Sequence, residues 1–126
     1  MNQLLQEIQT IVRAISSIRM PAMPCEYDIH TEISSALTAA GIPHSHEYKL
    51  APRCRIDFLV DDLGIEIKKS RPNPAQLKRQ LARYADCDAI ASLLVIAPRG
   101  VNLPKTIGGK PVLQIGLERL WGISLP

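Results

Sequence analysis

The chain has 126 residues, a length that suits one domain around one hydrophobic core. Hydrophobic residues make up 46% and charged residues 21%, which excludes a disordered tail, a collagen and a coiled coil. No apolar run approaches the roughly 20 residues that span a bilayer, so a membrane protein is excluded too. Aromatics stand at 4%, so the core must rest on Leu, Ile, Val and Ala.

The N-terminus, MNQLLQEIQT, lacks a basic patch followed by an apolar stretch, and no signal peptide is expected. Cys25, Cys54 and Cys87 are odd in number, far apart and form no C-x-x-C pair. A disulfide framework is not suggested, and the expected compartment is the reducing cytoplasm. The net charge is +3, but it is unevenly spread. Between Glu47 and Tyr84 nine Lys or Arg face five Asp or Glu, whereas the rest of the chain has six against seven. A locally basic surface with a few acids inside it suits a polyanionic partner and a bound cation.

Residues 3–19 place Leu4, Leu5, Ile8, Ile11, Val12, Ile15 and Ile18 at helical spacing, and the prolines from residue 21 end that helix. A second helix is expected from Tyr27 to Ala40, with Asp28 as N-cap and Gly41 at the C-cap position. Its stripe is Ile29, Ile33, Ala36, Leu37 and Ala40, and Glu32 lies at the edge of that stripe. Residues 44–50 read as extended, 54–60 as a strand, 61–64 as a turn and 65–69 as a strand with strict alternation. Residues 75–85 read as a helix with Leu77, Leu81 and Ala85 on one face. The apolar run 91–97 reads as a central strand, 112–115 as a short last strand and 117–121 as a helical turn. The order predicts an α/β fold, a mixed β-sheet flanked by helices. One domain spans 1–126, with 1–24 a helical extension and 25–126 the core. The extension would close the sheet or form a homodimer interface.

A hairpin turn centred on Asp62 and Leu63 pairs Asp57 with Lys68 and Leu59 with Glu66. Alternation then puts Asp57, Glu66 and Lys68 on one face, and Ile56, Phe58, Ile65 and Ile67 on the other. Neighbouring carboxylates repel, and a hard divalent cation such as Mg²⁺ or Mn²⁺ relieves that repulsion. Such a cation acidifies water and neutralises charge on a phosphate, the needs of phosphodiester hydrolysis.

Asp57, eight intervening residues, then Glu66-Ile67-Lys68 resembles the D…(D/E)-x-K signature of the PD-(D/E)XK nuclease superfamily. Ile56 stands where the nominal motif has proline. The resemblance covers roughly residues 28–97 and implies a restriction-endonuclease-like core. It implies that Asp57, Glu66 and the Ile67 carbonyl hold the metal and that Lys68 is the catalytic lysine. Glu32 matches the acid that many members carry on the preceding helix, and Glu47 is the alternative third acid. Gln80 and Tyr84 look like the Q-x-x-x-Y element of RecB-like members, one helical turn apart on one face. The size and the late strand before Leu117-Glu118-Arg119-Leu120 look like small archaeal-type Holliday junction resolvases. Lys69, Arg71, Lys78, Arg79 and Arg83 join Gln80 and Tyr84 as expected DNA contacts.

The expected function is therefore metal-dependent hydrolysis of DNA, as a structure-selective endonuclease in repair, recombination or mobile-element DNA processing. The alternatives are a catalytically silent nucleic-acid-binding or assembly module with the same fold, and a structural or inhibitory partner of an acidic protein. His44 and His46 share a strand face and, with His30, invite a metal reading. Without cysteine support they read as a surface strand. Trp121 reads as a core plug, and Gly108-Gly109-Lys110 opens no helix and so makes no phosphate loop.

Overall fold

In a computed structural model, which describes residues 2–18 and 26–116, the apolar spacing at the N-terminus forms helix α1, Asn2–Ile15. This helix ends earlier than expected. The Ser16 and Ser17 hydroxyls donate to the Arg13 and Ala14 carbonyls at 2.9 and 3.0 Å, taking acceptors that a further turn would use. Ile18 nonetheless stays in the core. Helix α2, Glu26–Ala39, begins before Asp28, so Asp28 lies in its first turn rather than at the cap. Gly41 does terminate it. At φ +73° it lets Gly41 N–H reach Thr38 O and Ile42 N–H reach Leu37 O, the paired bonds of a Schellman stop. The expected residue 19 end of the first helix, the break at 20–24, the 117–121 turn and Trp121 lie outside the described residues, as does Cys25.

Six strands form one sheet in the order β1-β2-β3-β4-β6-β5. They are β1 Ser45–Ala51, β2 Cys54–Val60, β3 Leu63–Ile67, β4 Ser92–Ala97, β5 Thr106–Ile107 and β6 Lys110–Gly116. The first three run as an antiparallel meander. Helix α3, Pro74–Ala85, then crosses to β4, which is parallel to β3, and β6 is parallel to β4. The sheet is thus mixed. Asn73 caps α3 through its Oδ1, which accepts from Gln76 N–H at 3.1 Å, and Pro74 occupies the first helical position. The unexpected strand β5 returns to β6 through Gly108 and Gly109, at φ +58° and +77°. That is the hairpin use of a Gly-Gly pair.

Helices α1 and α2 cover one sheet face. Ile8, Ile11 and Ile15 of α1 pack there with Ile29, Ile33 and Leu37 of α2 over Phe58, Ile65, Leu94 and Ile96. The α1 stripe therefore closes the sheet and shares the core of the rest of the chain. Helix α3 covers the other face with Leu77, Leu81 and Tyr84 over Ile56, Leu93 and Val95. Among the described residues, no helix is long and apolar enough to cross a membrane.

The β2–β3 hairpin differs from expectation in register. Val60 pairs with Leu63, Leu59 with Gly64 and Phe58 with Ile65, so the loop is only Asp61-Asp62. Asp61 takes the left-handed conformation this tight loop needs, at φ +53°. Gly64 belongs to the strand, not the turn. A Cβ there would collide with Ile56 Cδ1 and come within 2.7 Å of Ile90 Cδ1, so any larger residue would force these buried side-chain ends to shift.

Candidate active site

The same hairpin carries the acidic pair. Continuing the register would set Asp57 opposite Glu66, not opposite Lys68, but the pairing stops at Phe58 and Ile65. Asp57 Oδ2 instead accepts the Ile67 N–H at 2.7 Å. A side chain takes the place of a β2 backbone carbonyl, and the two strands part around it. The alternation of β2 slips at this point. Ile56 packs on the α3 side, whereas Phe58 packs on the α1/α2 side. Expectation placed Ile56 and Phe58 together and Asp57 wholly on the Glu66 face. Asp57 sits within the ladder and also reaches toward α2, where its Oδ2 is 3.7 Å from His30 Nε2.

Glu66 lies on the α3 side and is only 3% exposed. Its Oε2 pairs with Lys68 Nζ at 3.0 Å, and its Oε1 is 3.0 Å from the Tyr84 hydroxyl. Tyr84 accepts from Gln80 Nε2 at 3.0 Å, one turn earlier on α3. Its single proton has two acceptors in reach, Glu66 Oε1 and Arg55 O at 3.1 Å, and the carboxylate is the stronger. Burial, and secondly the Asp57 carboxylate, push the Glu66 carboxyl up to about 7, against the pull of Lys68 and Tyr84. Burial and then Glu66 raise the Tyr84 hydroxyl well above its usual range. Glu66, Lys68, Gln80 and Tyr84 thus form one connected network.

That network opens onto basic surface. One cleft of about 610 Å³ is lined by Lys68, Lys69, Arg71, Asn73, Gln80 and Arg83 among others. A second, of about 440 Å³, is lined by Lys49, Arg53, Arg55, Gln80, Arg83 and Tyr84. The clefts share Gln80 and Arg83, and neither lining carries a carboxylate. Arg79 lines a third hollow with Gln76, Gln80, Ala82 and Arg83, and Lys78 is exposed and lines none of these hollows. Lys49, Arg53 and Arg55 were not among the expected contacts. The signal for them was their place in the basic segment.

Of the two candidates for a third acid, Glu32 is half-buried on α2 and makes no hydrogen bond to the Asp57–Glu66 network. Glu47 stands across from Asp57 in the β1–β2 register, at a position that the pairing skips. In comparisons with family models, curated proteins and solved structures, nothing matches this chain. Its chemistry has to be read from these side chains.

The histidines do not form a plain surface strand. His30 Nδ1 and His46 Nε2 are 2.9 Å apart, and His44 Nε2 is 2.9 Å from Ser34 Oγ. His30, His44 and His46 all pack against Phe58, with His46 stacked on it at 4.7 Å between ring centroids. His46, Glu47 and His30 bring three ligand atoms within 4.8 Å of one another, a grouping able to hold a metal ion. Sequence reasoning raised a histidine metal site and set it aside for want of cysteines, and it missed Glu47 as a partner because nothing in the spacing shows that α2 lies against β1 and β2.

Proposed function

We propose that this chain is a divalent-metal-dependent DNA nuclease that hydrolyses phosphodiester bonds. The observation that carries this reading is the Glu66 carboxylate, buried between the Lys68 ammonium and the Tyr84 hydroxyl, each of which lines one of the two basic clefts. A buried acid coupled to a lysine and a second carboxylate, beside a cationic surface, is a functional arrangement more often than a structural one.

The donor set fits a hard cation. Asp57 and Glu66 repel strongly enough to help lift Glu66 toward neutrality, and a dication relieves that repulsion. Asp57, Glu66 and the Ile67 carbonyl would hold it, and Mg²⁺ or Mn²⁺ supplies Lewis acidity toward water and the scissile phosphate. The chain's own groups do the rest. Tyr84 fixes one oxygen of Glu66 and so orients the other. Lys68, at the cleft, offers an ammonium to the phosphate and to the incoming water. Gln80 and Arg83 face both clefts and suit the phosphates on either side. Arg71 and Lys69 extend the cationic path on one side, and Arg53 and Arg55 extend it on the other. The cationic path along both clefts contacts backbone phosphates rather than bases, so recognition by this domain would rest on DNA shape, which favours a branched or otherwise structured substrate.

The test is cleavage of labelled four-way junction, flap, single-stranded and duplex DNA with Mg²⁺ or Mn²⁺, beside Glu66→Gln and Lys68→Ala. Metal-dependent cutting that both substitutions abolish is the expected result. Tight binding of the panel with no cutting by the wild type would replace this reading with the silent DNA-binding module.

A further inference from the structure

We infer that His30, His46 and Glu47 form a separate transition-metal site, of the zinc class, on the α2 side of the sheet. The inference does not depend on the nuclease reading, because its ligand atoms differ from Asp57, Glu66 and the Ile67 carbonyl, although Asp57 lies beside both groups.

Three observations build it. First, the ligand atoms converge. His30 Nδ1 lies 2.9 Å from His46 Nε2, and Glu47 Oε1 lies 3.9 Å from the same His46 Nε2. Four-coordinate zinc with bonds of about 2.0–2.1 Å needs its ligand atoms a little over 3 Å apart. Small rotations of the exposed His46 and Glu47 side chains supply that. Two imidazoles and one carboxylate with a solvent-facing side is a ligand set that zinc takes with an open fourth position.

Second, the backbone is shaped for it. Neighbouring residues of a strand point to opposite faces, so His46 and Glu47 would not share a ligand site in regular β structure. Glu47 adopts φ +53°, a left-handed conformation uncommon for glutamate, and the β1–β2 pairing skips it and Asp57. The break swings Glu47 beside His46. Its other oxygen is 3.5 Å from Arg55, which leaves Oε1 on the histidine side.

Third, the buried ligand is oriented from behind. The Asp57 carboxylate lies 3.7 Å from His30 Nε2, longer than a hydrogen bond, and a small turn of either side chain would let Nε2–H donate to it and leave the Nδ1 lone pair for a metal. With His30 in that tautomer the hydrogen bond would come from His46 Nε2–H, and a metal would bind His46 in its other tautomer, with the proton moved to Nδ1.

The experiment uses the full chain, freed of metal with a chelator and titrated with Co²⁺, whose visible absorption reports four-coordinate nitrogen and oxygen ligation. One equivalent should bind, with Zn²⁺ displacing it and raising the melting temperature. His46→Ala and Glu47→Gln, both at the surface, should weaken binding by about 10–100-fold or more. Glu66→Gln and the triple change Cys25→Ser, Cys54→Ser, Cys87→Ser should bind as the wild type does. No four-coordinate absorption in the wild type would overturn the site, as would absorption that survives His46→Ala or disappears with the cysteines. Because the readout is optical, a nuclease-negative protein that binds Co²⁺ this way still carries it.

Discussion

The Tyr84 hydroxyl on α3 and the Glu66 carboxylate on β3 meet at 3.0 Å, joining the crossover helix to the strand beneath it. Since the hydroxyl supports the charged form of Glu66, Tyr84→Phe should leave the fold intact and make Glu66 harder to ionise. The expected result is a fall in turnover of about tenfold to a hundredfold, an affinity for DNA close to wild type, and a rate–pH profile moved to higher pH. An unchanged profile would remove Tyr84 from the site.

Glu66 also sets a pH dependence of stability. Its folded value of about 7 lies above the ordinary 4.5, so between these the native state holds a proton that the unfolded chain has released. The favourable contribution is complete below pH 4.5 and is lost as pH rises through 7, with a total on the order of 3 kcal/mol. Glu66→Gln removes this titration. In urea unfolding at pH 5 and pH 8, the variant should gain on the wild type by roughly 1–3 kcal/mol at the higher pH while losing cleavage. A difference between the two proteins that is the same at both pH values would contradict the assignment.

Asp57 accepts the Ile67 N–H and, on the proposed function, also holds the metal, and two substitutions separate these roles. Asp57→Asn keeps an acceptor for Ile67 N–H and removes the charge, so it should fold near wild-type stability, release Glu66 from repulsion and abolish cleavage. Asp57→Ala leaves the buried N–H without its acceptor and should cost about 1–3 kcal/mol as well. Thermal melts of the two variants side by side decide this. Equal stability would mean that the ladder bond carries no weight.

The two clefts predict a map of DNA contacts. Arg83 lines both, so Arg83→Ala should weaken binding and reduce the slope of log affinity against log salt by about 1. Arg53→Ala and Arg55→Ala should act in the same direction. Lys78→Ala, outside the clefts, should change little. Fluorescence anisotropy across a salt series measures all four, and a Lys78 effect as large as that of Arg83 would move the interface to the outer side of α3.

Much of this was legible in the sequence. The strand pattern, the crossover helix and the spacing of Asp57, Glu66 and Lys68 are local signals, and the element order follows from them. The register was not legible, because Gly64 reads as a turn residue and its true cause is the approach of Ile56 and Ile90 from elsewhere in the fold. The slip of β2 at Asp57 likewise depends on a hydrogen bond across the hairpin. Strand β5 had a readable cue, since Gly108-Gly109 is a hairpin pair. The histidines had only a compositional cue, since His30, His46 and Glu47 meet through the packing of α2 and the break in β1.

The irregularity of β1 has a consequence for how the molecule behaves among copies of itself. This strand is the outer member of the sheet, and five of its seven residues are exposed. A flat outer strand invites another chain to add on and seed aggregation. Here the left-handed Glu47, the register shift between Lys49 and Ala51, and the charges of Glu47 and Lys49 deny such a chain a regular template. The kink that gathers the ligands is also what keeps this edge from recruiting neighbours.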